Sequence, residues 1–426
     1  MHRFMLLSVF VILLVFIIFL MIGPRLPDEH QRDYCVYNIH LPGPFGFSLN
    51  CDSFLFLELA HNPEKLLAKG NIRQERPGFI FLAAALSPLF KAISPSPDKE
   101  MENSVVYTVM LYLPYYVAYI TLNILILLIS FWFYVKITCL DQHRSIAVFA
   151  VGCLLIFNDV VKAFVWSPHT QMFNILVPLF CMWCFIEVVE RRLFERPIIF
   201  AISALIGLGV TVYSSFALYL PAIFLPALVI AWRQPSRYVA LGHFAIRAVI
   251  IFGLVALPGW LWYLYVETKT GSFYSHSIGR YHHLVWIIDA WRAGLFVLIS
   301  QLSQNFWNLL VFAAKQGWII VLVLTPFIVG HFINNNQWRA LLSVQLLGSV
   351  LISGMFLAFF AMVGLIESRI AYTAIPPFIA LAGYIIHRLE ENGVIKKMNA
   401  RTLVPLTVLI VLGYGVFELL KDGPYS

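Results

Sequence analysis

The chain has 426 residues, 60% of them hydrophobic and only 12% charged, with a mean hydropathy of +0.82. So little polar surface excludes an ordinary soluble domain. The net charge of +7 and pI near 9.0 do not point to nucleic acid, because the basic residues sit in short loops between apolar runs, as in a polytopic membrane protein.

A spanning helix needs ~20 apolar residues, and on that basis the sequence reads as an all-α transmembrane bundle. The first span is expected at 4–23. It reads as a retained helix rather than a signal peptide, since Gly23-Pro24-Arg25 follows where a small-residue cleavage site would stand. Ten further spans are expected at 106–134, 146–164, 171–189, 198–213, 216–232, 246–266, 317–333, 341–364, 371–388 and 402–420. Two apolar stretches fit spans poorly: 78–93 is short and contains Pro88, and 293–313 carries Gln301, Ser303, Gln304 and Asn305. Both are expected to lie in the outer interface. This leaves one bundle domain over 1–426, with large extracytoplasmic segments at 24–105 and 267–316.

Loop charge orients the bundle. One set of loops holds Arg3, Lys136, Arg144, Arg191, Arg192, Arg196, Arg233, Arg237, Arg247, Arg339, Arg388, Lys396, Lys397 and Arg401. The other short loops hold little beyond Lys162 and Arg369. The N-terminus is therefore expected inside, with 24–105 facing the periplasm or its equivalent.

That first loop is where chemistry in water is expected. Asp52 follows Asn50-Cys51 and opens an amphipathic run, so it reads either as a helix N-cap or as a general base. Asp28-Glu29 is the rival acidic site. Glu58 is six residues from Asp52 and off its helical face, which makes it a support or surface residue. Asn62 is expected to cap a second short helix, with Pro63 at its first position and Glu64 in its first turn. Arg73 and Arg76 can bind a phosphate or anchor headgroups, and Pro77 predicts a helix starting at 78. Cys35 and Cys51 share the loop; a disulfide between them would close about 17 residues and contribute roughly 3 kcal/mol on the loop-entropy model.

Farther along, Asp159 and Lys162 are three apart and can pair on one helix face, with His169 nearby at the same outer end. Between two apolar spans sits Glu367-Ser368-Arg369, followed by Tyr372. An arginine there calls for an anionic partner, which can be Glu367, a lipid phosphate or a substrate phosphate. The segment 269–292 holds His276, Arg280, His282 and His283. Adjacent histidines lack zinc-site spacing, so an aromatic and cationic lid is expected instead of a metal centre. No phosphate-binding loop, haem motif or nucleophile elbow occurs.

Asp52-x5-Glu58-Leu-Ala-x-Asn-Pro, then Arg76-Pro77-Gly78-Phe79, then Arg369-Ile-Ala-Tyr372-Thr-Ala-Ile-Pro376 resemble, in this order, the GT-C glycosyltransferases, integral-membrane enzymes that use polyprenyl-phosphate sugars. Many relatives carry an acidic pair in the first loop; here Ser53 follows Asp52, and the only adjacent pair is Asp28-Glu29. The resemblance implies transfer of a sugar from a polyprenyl-phosphate donor to a lipid, glycan or protein acceptor, with inversion, on the extracytoplasmic face of a plasma or bacterial inner membrane. It implies Asp52 as base, Arg369, Arg73 and Arg76 at the donor phosphate, and Glu58, Asp159, Lys162, His169, Arg280, His282, Glu367 and Tyr372 around the cavity. No cofactor is implied, since a monophosphate donor does not require a divalent metal. Membrane lipids are the other expected partners, and nucleic acid is not. A surface-polysaccharide polymerase or ligase, or a lipid or solute transporter, are the alternatives; the first would place its large loop late, the second its charges at mid-membrane.

Overall fold

The computed structural model describes residues 36–40, 46–92, 105–141, 145–334, 343–391 and 400–421. The expected first span, Asp28, Glu29 and Cys35 lie outside the described residues.

Within the first loop, β1 (Val36–His40) and β2 (Gly46–Asn50) form an antiparallel pair in which Val36 faces Asn50, a departure from an all-helical chain. Then come α1 (Asp52–His61), a 3-10 turn over Pro63–Leu67 and α2 (Gly78–Lys91). As expected, α2 starts directly after Pro77. Asn62 sits at the N-cap of the 3-10 turn, but its side chain makes no capping bond. The bundle follows: α3 (Val105–Thr138), α4 (Ile146–Cys153), α5 (Asp159–Phe164), α6 (Phe173–Arg191), α7 (Ile198–Val212), α8 (Tyr219–Trp232) and α9 (Arg237–Thr270). Two short helices, α10 (His276–Gly279) and α11 (Val285–Ala293), lead to α12 (Leu295–Asn334), α13 (Val344–Val363), α14 (Ser368–Ala371), α15 (Ile375–Glu391) and α16 (Ala400–Leu420).

Eight helices among the described residues are long and apolar enough to cross a membrane, and the chain is a helical membrane protein. The expected span at 198–213 is the 15-residue α7, shorter than those eight. Two expectations fail. The stretch 146–164 is not one helix: it breaks after Cys153 and restarts at Asp159. The break is tolerated because protein, not lipid, surrounds it; residues 154–158 are all buried. Asn158 repairs it. Its Oδ1 accepts from the Val161 amide at 3.0 Å, and its Nδ2 donates to the Leu154 and Leu155 carbonyls at 3.4 and 3.0 Å. Second, 293–313 is not a separate interfacial helix. It is continuous with 317–333 in the 40-residue α12, which at 1.5 Å per residue is roughly 60 Å long, about twice the hydrocarbon thickness. Its polar first half is held to the bundle by Asn305 Nδ2, which donates to the Ala361 carbonyl at 3.2 Å.

The bundle has two chemically distinct ends. Lys136, Asp141, Glu187 and Arg191 surround one small cavity, and Glu190 of the same end meets Gln345 at the start of α13. The opposite end holds Asp52, Arg73, His169 and Arg369. Tyr134 donates to the Val148 carbonyl at 2.5 Å inside the core, and Gly383 gives it room: a Cβ there would run into the Tyr134 ring and hydroxyl.

The repair at Asn158 predicts that Asn158→Ala destabilises the purified protein by about 1–3 kcal/mol, the cost of stranding buried polar groups. Asn308→Ala, which removes an exposed hydrogen bond with Gln304, should leave the melting temperature nearly unchanged.

Candidate functional site

Asp52 is the first residue of α1 and not its N-cap, a position that Cys51 occupies. Asn50 Oδ1 accepts from the Asp52 amide at 2.9 Å, and the Asn50 amide donates to Ser167 Oγ at 3.2 Å. Residues 164–167 are held by α3: Asn123 Nδ2 donates to the carbonyls of Phe164, Val165 and Ser167 at 2.9–3.1 Å, and Tyr116 donates to that of Trp166 at 3.0 Å. Tyr119 donates to the Phe56 carbonyl at 3.1 Å, fixing α1 to the same helix. Asp52 and His169 therefore meet although 117 residues separate them. Cys51 is disulfide-bonded, while Cys139, Cys153, Cys181 and Cys184 are free thiols.

Asp52 Oδ2 is the focus. Arg73 Nη2 lies 2.6 Å from it and His169 Nε2 3.5 Å. His169 Nδ1 accepts from the Gln171 amide at 3.3 Å, so the ring proton belongs on Nε2, pointing at Asp52. Burial pushes the imidazole down to about 4, against the pull of Asp52 and helped by Arg73 and Arg369. The ring is therefore neutral near pH 7. The hydrogen bond from His169 and the charge of Arg73 outweigh desolvation and hold the Asp52 carboxyl well below the usual range. Arg73 lies over the Phe56 ring, 4.6 Å from its centre, and its Nε is buried without a hydrogen-bond partner.

The second arginine group stands beside the first. Asn174 Nδ2 donates to Gln171 Oε1 at 2.5 Å and to the Arg369 carbonyl at 3.0 Å, and Asn174 Oδ1 accepts from Tyr213 at 2.5 Å. The Arg76 guanidinium lies over the Tyr213 ring at 5.8 Å, and that of Arg369 over Phe164 at 5.9 Å. Arg369 pairs with Glu367, one of the three expected anionic partners. Both side chains remain more than a third exposed.

A strap from α9 crosses this end. Gln74 is completely buried; its Nε2 donates to the carbonyls of Leu66 and Ala68, its Oε1 accepts from the Tyr274 amide at 3.0 Å, and its carbonyl accepts from Trp262 Nε1 at 2.7 Å. Glu75 accepts hydrogen bonds from Ser275 and Ser277. The segments around Gln74 and Tyr274 thus touch across 200 residues. Burial, then neighbouring positive charge (Arg280 at His276, Arg76 at His283), lowers the affinity of His276 and His283 for protons.

Of the anticipated residues, Asp52, Arg73 and His169 are in contact, and Arg76, Arg369 and Glu367 adjoin them. Arg280 and His282 are exposed on the strap. Glu58 faces away and pairs with Lys65 at 2.6 Å. The expected Asp159–Lys162 pair does not form. Lys421 takes Asp159 at 3.1 Å, while Lys162 donates to the Glu418 carbonyl at 2.7 Å. Tyr372 is buried in that cluster and not in the Asp52 site; its hydroxyl has no partner. The sequence reading gave no role to Gln74, Glu75 or Gln171 and did not single out Asn174 or Tyr213. Asn174, an amide within an apolar helix, is the kind of residue that signals a buried polar network. Among the described residues no group of three or more His, Cys, Asp or Glu side chains is placed to hold a metal ion.

No family model matches the chain, nor does any curated protein or solved structure.

Two outcomes follow from this geometry. His169 binds protons less readily folded than unfolded, so its contribution to stability is full above about pH 6.5 and is lost as pH falls toward about 4. Thermal melts should show a His169 contribution to the loss on the order of 3 kcal/mol over that window, so that His169→Gln loses less than the wild type by about that amount. In addition, Gln74→Ala strands two carbonyls and one amide, so amide exchange at 66–76 and 271–279 should rise at least about 5-fold, with exchange in α6 unchanged.

Proposed function

We propose that the protein is a glycosyltransferase that moves a sugar from a polyprenyl-phosphate donor to an acceptor hydroxyl at the outer membrane face. The observation that carries this reading is the pairing of a half-exposed carboxylate, Asp52, with Arg73, Arg76 and Arg369 within one polar cluster at the bundle end opposite Arg191, Arg192 and Arg388. A transporter would be expected to carry its charges at mid-membrane; these lie at a helix end.

In this mechanism the donor phosphate sits against Arg369, with Arg76 beside it. The acceptor oxygen attacks the anomeric carbon from the side opposite the phosphate. Its proton passes to Asp52, the carbon–oxygen bond to phosphate breaks, and polyprenyl phosphate leaves carrying the negative charge. The resting ion pair constrains this step. While Arg73 holds Asp52, the carboxylate is a poor base. A phosphate offers Arg73 a forked partner for Nη2 and the unpartnered Nε, and taking it would remove the arginine's share of what holds the Asp52 carboxyl down, leaving the hydrogen bond from His169. Donor binding then prepares the base. Phe56 and Phe164, under Arg73 and Arg369, supply an apolar floor that strengthens these charge contacts.

Membranes containing the wild-type chain should release polyprenyl phosphate from at least one member of a panel of radiolabelled polyprenyl-phosphate hexoses and pentoses. Asp52→Asn should lower that rate about 10²–10⁴-fold, and Arg369→Gln about 10²–10³-fold. Full activity in Asp52→Asn together with loss in Asp28→Asn and Glu29→Gln would move the base to the earlier pair.

A further inference from the structure

A cavity of about 410 Å³ opens at the other end of the bundle from the Asp52 site. Helix α6 connects the two places: it has Asn174 in the site and runs to Arg191, with Arg192 at the cavity. Those eighteen residues rise roughly 27 Å, about one hydrocarbon thickness, so the cavity belongs to the opposite leaflet.

Its inner wall is aromatic. Phe194 and Phe244 stack at 5.4 Å, and Phe224 packs edge-on against both. Its rim is polar with a basic excess: Arg192, Arg247, Gln234, Ser236 and His243, against one carboxylate, Glu195. Arg247 is rigid: Nε donates to the Phe194 carbonyl at 2.9 Å, Nη2 to that of Arg196 at 3.1 Å, and the group lies over Phe200. Arg192 is half-exposed and meets Glu195 only at 3.6 Å, so it can turn to another anion. Arg233 and Arg237 flank the rim residues Gln234 and Ser236 in the chain.

Two observations define the occupant. Trp232 and Tyr238 stand beside the mouth 61% and 78% exposed, as aromatic residues do at headgroup depth. Helix α9, which forms one wall, has only 11% of its apolar window buried and leaves Val239, Ile246, Val249 and Phe252 uncovered. A ligand seated here has its charged end among arginines and its tail along α9 in the bilayer. We infer that this cavity binds the headgroup of an anionic glycerophospholipid in the leaflet opposite the Asp52 site, with Arg192 as its adaptable contact and Arg247 as its fixed one.

Thermal melts of the full chain in detergent test this, with phosphatidylglycerol, phosphatidylcholine or inorganic phosphate added. Phosphatidylglycerol should raise the melting temperature, and the other two should not. Arg192 has φ +53°, which asparagine tolerates, so Arg192→Asn removes the charge without backbone strain. It should raise the phosphatidylglycerol concentration for half-effect about 5-fold, the loss of one surface arginine at ~1 kcal/mol. Arg388→Gln, at the same end but outside the cavity, should leave that concentration unchanged. Ala240→Phe, which fills the cavity without touching a charge, should abolish the shift. An equal shift with phosphatidylcholine, a full shift with inorganic phosphate, or a wild-type response from both Arg192→Asn and Ala240→Phe overturns the inference.

Discussion

A single carboxylate oxygen, Asp52 Oδ2, is the point on which the polar end of this bundle is organised. Three separate stretches of chain converge on it: the first turn of α1, the loop carrying Arg73, and the segment before α6 that carries His169. None of them is held there by the charge alone. Asn50 reaches Ser167, Asn123 gathers three carbonyls of the same segment, and Tyr119 ties down Phe56. Each partner satisfies a backbone group that could find no water inside the bundle. The same bonds that make the fold possible therefore set the position of the carboxylate.

Much of this was legible in the sequence, for reasons that differ by residue. The start of α2 after Pro77 was readable because proline restricts its neighbour and suits a helix entrance. Long apolar runs announced most of the helices, since lipid demands them. The break between Cys153 and Asp159 was not readable: hydropathy reports apolarity, which a buried irregular turn and a helix share. The continuity of α12 was hidden by the opposite effect, a polar stretch that reads as a boundary but continues the same helix. Asp159 and Lys162 looked like a local pair because sequence shows only near neighbours; their partners arrive from Lys421 and the end of α16, some 260 residues on. Gln74 was passed over because a glutamine in a loop carries no periodic signal, yet it joins the segment after α1 to the strap that follows α9.

The two ends of the molecule make different demands on arginine. At the Asp52 end, Arg73, Arg76 and Arg369 lie over aromatic faces, and Arg73 and Arg369 are also matched to carboxylates. An entering anion there competes with an existing partner, which suits a site that must bind and release. At the other end Arg247 is fixed on backbone carbonyls and Arg192 is loosely paired. An anion there displaces at most the loose Glu195 contact of Arg192, which suits a lasting lipid contact.

The central claim is that a lipid phosphate takes Arg73 from Asp52. The most direct measurement is a structure of the full chain in lipid nanodiscs with a polyprenyl phosphate bound. The account predicts the phosphate within hydrogen-bonding distance of Arg369 and Arg73, with Arg73 parted from Asp52 and His169 still facing the carboxylate. A bound phosphate elsewhere, or one beside Arg369 with the Arg73–Asp52 pair intact, would contradict it.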